Sequence, residues 1–148
     1  MSEDDQTENY RQVFPKLTKD NHRKTSDPDI RYNCIGYAAG SELWWEPVVE
    51  EHFWPDGVPN EYTIEAYVGA FESRGYVVCE DGDFEDGIEK VALFANKGFP
   101  SHAARQLDAQ NWTSKLGEDL DISHELSAIE GDFYGNVVLF LCRPSPTS

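Results

Sequence analysis

Positive charge is scarce in this chain of 148 residues. Lys and Arg number 12 against 28 Asp and Glu, a formal net charge of −16. A field of that sign repels phosphate backbones and anionic lipid surfaces. Nucleic acid and membranes are therefore poor partners, and a basic protein is a good one. Long apolar runs are missing too: none approaches the roughly 20 residues that span a bilayer. The N-terminal MSEDDQTENY is acidic and polar, the opposite of a secretion signal. Cysteine is limited to Cys34, Cys79 and Cys142, with no C-x-x-C pair. An odd, scattered set without a signal segment points to free thiols in a reducing, cytoplasmic setting. His22, His52, His102 and His124 show neither H-x-x-x-H nor H-E-x-x-H spacing. No zinc motif follows, and no metal or cofactor is expected.

What is present suffices for one core. Apolar residues make up 39%, with 8 Phe, 7 Tyr and 4 Trp to bury. Residues 1–30 read as a polar arm with Val13, Phe14 and Leu17 as its docking points, 31–144 as a single α+β domain, and 145–148 as a frayed tail. Asn33 is a good N-cap for a short helix starting at or just before Cys34. The Trp-rich and Pro-rich stretch from Trp44 to Pro59 reads as a packed loop. Apolar spacing from Tyr62 to Phe71 predicts a helix opening in residues 60–65 and stopped by Gly75. Strands are expected at Tyr76–Cys79, Lys90–Ala95, His102–Leu107, Trp112–Leu116 and Asn136–Cys142, with the doubly apolar Lys90–Ala95 run at the centre. A short helix capped by Ser123 is expected over His124–Glu130. N-terminal helices packed on an antiparallel meander make an α+β fold.

Among the thiols, Cys79 and Cys142 lie in apolar strand runs and read as core fillers. Cys34 opens a helix, where free N–H groups favour a thiolate and can hold an oxyanion. His102, after Pro100 and Ser101 at the start of a strand, is the natural base for it. With Asp108–Asn111 as the hairpin loop, Leu107 pairs with Trp112. His102 then faces Gly117, with Lys115 and Asp119 as diagonal neighbours. Asp119 would orient the imidazole, whereas Lys115 would depress its pKa. Asn111, about 16 Å away along the hairpin, is too far to do so. A slip of one residue moves Asp119 and Lys115 to the other face and leaves Asp121 and His124 as alternatives.

The segments Asn33-Cys34-Ile35-Gly36-Tyr37-Ala38 and Ser101-His102-Ala103-Ala104, with the strand Val91–Ala95 between them and a hairpin ending near Gly117, resemble the core of papain-like thiol hydrolases. In that superfamily a Cys opens a helix and a His opens a strand of the following sheet. The resemblance implies a papain-like core and a hydrolase or acyl transferase acting on an amide or thioester. Its catalytic residues would be Cys34, His102 and Asp119, with Tyr32, Lys115 and Trp45 against the substrate. The superfamily's tryptophan-flanked helix and glycine-rich His strand are not reproduced. NCIGYA, the Trp44-Trp45 pair, and HAARQ followed by WTSKLG also resemble an uncharacterised bacterial domain family, a likeness that implies no activity.

A second reading comes from the surface. The acid excess, the acidic arm and the Trp-rich loop suit a non-catalytic interaction module for a basic protein, a toxin or immunity component included. Trp44, Trp45, Phe53 and Trp54 could line a groove. Glu80–Glu89 begins like a calcium loop, but Asp86 stands where glycine is needed and Ala92 where the last acid belongs, so it reads as a solvated turn.

Overall fold

A strand that is apolar on both faces needs cover on both sides. β3 (Ile88–Asn96) is such a strand and lies in the interior of the sheet. The structure is a computed structural model and describes residues 14, 22–26, 33–41, 43–115, 121–131 and 134–144. Around β3 stand β1 (His22–Ser26), β2 (Val77–Cys79), β4 (Phe99–Gln106), β5 (Trp112–Lys115), β6 (Asp121–His124) and β7 (Asn136–Pro144). They form one sheet in the order β1-β6-β5-β4-β3-β7-β2, with every pairing antiparallel. Strands β3 to β6 are a meander, β7 returns to the far side of β3, and β2 lies outside β7. With helices α1 (Cys34–Ala38) and α2 (Ile64–Glu72), this is an α+β fold made mostly of sheet.

Strand alternation divides the core into two layers. Val91 and Leu93 of β3 point towards α1 and α2, into a cluster with Ile35, Trp45, Ala70, Phe71 and Leu141. Ala92 and Phe94 point the other way, towards Phe14, Ala104, Trp112, Ile122 and Ile129. No helix among the described residues is long and apolar enough to cross a membrane.

Asn33 starts α1 and also ties it down. Its side-chain oxygen accepts from the Gly36 and Trp45 amides, both at 3.0 Å, and its amide nitrogen donates to the Trp45 carbonyl at 2.8 Å. Gly36 is required by this closeness, since a Cβ there would sit 2.0 Å from the Leu43 carbonyl oxygen. Thr63 caps α2 by accepting from the Ala66 amide at 3.1 Å. The chain then turns through Gly75 at φ 89° into Tyr76 and β2.

Three expectations need correction. Residues 22–26, assigned to the polar arm, form β1 and pair with β6. The helix expected over His124–Glu130 is the end of β6 followed by a single 3-10 turn, Leu126–Ile129. Alternation at Ile122 and His124 buries both side chains and favours a strand, and Ser123 caps nothing. In the third, Gln106 rather than Leu107 faces Trp112. The Leu107 and Asp108 amides both donate to the Asn111 carbonyl, and Asp108 Oδ1 holds the Gln110 and Asn111 amides, so the loop takes one residue more than four.

Candidate functional site

That one-residue difference decides which side chains meet. Arg105 faces Thr113, and Thr113 Oγ1 is hydrogen-bonded to Tyr37 of α1 at 2.9 Å. Lys115, two residues on, therefore shares the α1 side of the sheet. It is completely buried and its positive charge reaches Cys34. Placing Lys115 beside His102, or against a substrate in solvent, is thus corrected.

Cys34 packs on the same side, among Ile35, Ala38 and Ala103. Burial pushes its thiol up to about 11. The N–H groups of Ala103 and Ile35 and the charge of Lys115 work in the opposite direction without overcoming that loss of hydration. The α1 start does supply the donors that a helix start promises, but to a thiol that the core buries.

His102 is on the other side. It pairs with Phe94, whose ring it meets edge-on at 5.3 Å, and it stacks on Tyr134 at 4.0 Å with only 10° between the planes. Neither ring nitrogen has a hydrogen-bond partner among the described residues, and the side chain is fully buried. Burial is the main cause that holds its pKa well below the usual histidine range, and nearby His124, which would repel a second charge if both rings were protonated, adds to it. Cys34 and His102 are thus placed in different layers with the sheet between them. Trp45, expected against a substrate, lies 1% exposed in the core, tilted on Phe53 at 4.9 Å. Phe53 and Trp54 pack against the core, Trp54 on Tyr67, while Trp44 stacks on His52 and donates to Glu46. Asp119 and Tyr32 lie outside the described residues, as does the side chain of Asp121.

A pairing that the sequence did not single out lies beside His102. Ser114 Oγ is 2.7 Å from His124 Nε2, and His124 Nδ1 is 2.7 Å from the Glu125 carbonyl. A carbonyl only accepts, so Nδ1 carries the proton and Ser114 donates to Nε2. The geometry is that of a serine and its base, but both side chains are fully buried. The signal was the alternation of Ile122 and His124, legible once Asp121–His124 is taken as a strand.

Charge gathers instead at the β2 end. After β2 the chain carries Glu80, Asp81, Asp83, Glu85 and Asp86, all exposed, around an exposed Phe84. The loop is pinned from beneath: Lys90, 1% exposed, reaches Asp81 at 3.2 Å and Glu85 at 2.8 Å, and Gln106 donates to the Gly82 carbonyl at 2.7 Å. An open recess of about 410 Å³ is lined by Cys79, Glu80, Asp81, Asp83, Glu85 and Lys90. Its cation is the Lys90 ammonium, and no group of three potential ligands stands ready for a metal among the described residues. Across β3, Glu89 binds Arg105 at 3.4 Å and Arg143 at 3.2 Å, which closes the opposite layer.

Comparison with known proteins finds a family model described as a domain of unknown function, DUF7689, which matches residues 23–142. No curated protein and no solved structure matches the chain.

Proposed function

The chain belongs to the DUF7689 domain family, and we propose that it works as a non-catalytic interaction module that docks a basic protein through its acidic surface. The observation that carries this reading is the pinned loop after β2, which holds five exposed carboxylates around Phe84 at one end of the sheet. A net charge of −16 attracts a basic partner over distance, and a fixed local cluster decides where it lands. The thiol hydrolase or acyl transferase reading, with its papain-like core, has less support. It asks for a reactive Cys34 beside His102, and these residues pack in separate core layers with the thiol pushed up to about 11.

Charge reversal tests the module reading. Glu80, Asp83 and Asp86 are changed together to Lys, and binding of a fluorescent polylysine is measured. A control changes Glu50, Glu51 and Asp56 to Lys, with the same effect on net charge and likewise at exposed positions. The loop variant should lose about tenfold more affinity than the control. Equal losses would show that only overall charge matters and would contradict a docking site at the loop.

A further inference from the structure

β2 is the last strand of the sheet. Its inner side pairs with β7 through Val77 and Cys142, Val78 and Leu141, and Cys79 and Phe140. No strand pairs with its outer side among the described residues. An edge of this kind presents backbone N–H and C=O groups to any extended chain that reaches it. Val77 is 57% and Val78 53% exposed, although successive residues point to opposite faces. The edge therefore stands clear on both sides of the sheet, and an added strand would cover apolar surface on each.

We infer that the outer edge of β2 receives an extended, basic segment of a partner protein as an eighth strand, with Lys or Arg side chains of that segment meeting Glu80, Asp83 and Asp86. The inference rests on the interaction-module reading and names the form its partner takes. Charge complementarity selects the occupant. Lys90 engages Asp81 and Glu85, and the exposed Glu80, Asp83 and Asp86 have no partner cation among the described residues. The loop is held in advance by Lys90, by Gln106 on the Gly82 carbonyl, and by the Phe140 ring against Gly82, so little ordering is left for binding to impose. Backbone pairing supplies affinity without regard to sequence, the valines select apolar side chains, and the acids select positive ones. A second copy of this chain carries the same excess of negative charge and is repelled.

The probe is a blocked eight-residue peptide of alternating Lys and Val, added to the full chain. Amide hydrogen exchange is read across β2 by NMR. Controls are the same peptide with alternate backbone nitrogens methylated, which keeps the charge but cannot pair, and a Glu–Val peptide. The Lys–Val peptide should slow exchange of outward-facing amides among Val77–Cys79 about tenfold. Both controls should leave it unchanged, and the Asp83→Lys variant should weaken the effect. Equal binding of the methylated peptide overturns strand addition while leaving the acidic docking site in place. Protection at β1 instead of β2, absence of binding, or a doubled solution mass of the chain without peptide overturns it as well. In the last case the edge serves a second copy.

Discussion

Cys34 and His102 lie on opposite sides of one β-sheet. Ala103, the neighbour of His102 on β4, turns its side chain towards Cys34, while the His102 ring turns towards Phe94 and Tyr134. A nucleophile and its base must share a cleft, and here a layer of backbone separates them.

Thiol reactivity should follow exposure. Cys34 is buried, whereas Cys79 and Cys142 are half-buried at the β2 end; burial pushes the Cys34 and Cys79 thiols alike up to about 11, so access separates them. Iodoacetamide labelling read by mass spectrometry should modify Cys34 more slowly than either of the others. Faster labelling of Cys34 would restore it as a nucleophile.

Stability should fall in mild acid. The folded state holds His102 neutral, well below its ordinary pKa, while the unfolded chain protonates near 6.5. As pH drops through that value the unfolded state binds the extra proton, and each pH unit costs at most about 1.4 kcal/mol. Urea midpoints should therefore decline between about pH 7.5 and about pH 5.5, a window above that of the carboxylates. His102→Phe should flatten this decline. An unchanged slope in that variant would assign the effect elsewhere.

Ser114→Ala should destabilise the fold. It leaves His124 Nε2 without its hydroxyl donor inside the core, at a cost of about 1–3 kcal/mol. A urea titration at neutral pH measures it, and a loss below about 0.5 kcal/mol would mean the pair contributes little.

Gly36→Ala forces a methyl against the Leu43 carbonyl and should cost about 1–3 kcal/mol as the loop is pushed off α1. A variant as stable as the parent by thermal melting would show that the loop shifts freely.

The legible parts of the chain were those with strong local patterns. The doubly apolar run around Val91–Ala95 marked an interior strand, Asn33 a helix start, and the spacing from Tyr62 to Phe71 a helix. Three features depended on partners far away in sequence. β1 is too polar to announce itself and takes its form from pairing with β6. Asp121–His124 is too short to show a period, and only its place beside β5 makes it a strand. The β4–β5 register turned on one loop residue at Leu107, which sent Lys115 to the Cys34 side. Cys34 was rightly placed at the start of α1, but sequence carries no measure of how deeply a helix start is covered. The acidic run at Glu80–Glu89 was visible, whereas its anchoring on Lys90 required the fold.

Mapping where a basic probe lands is the most direct check on the docking reading. Amide chemical shifts of the full chain are followed as polylysine is added. Changes concentrated in residues 77–90, lost when Glu80, Asp83 and Asp86 become Lys, are the expected result. Changes centred on Cys34 and Ala103, or spread evenly over the acidic surface, would contradict a module whose contact face is the β2 end of the sheet.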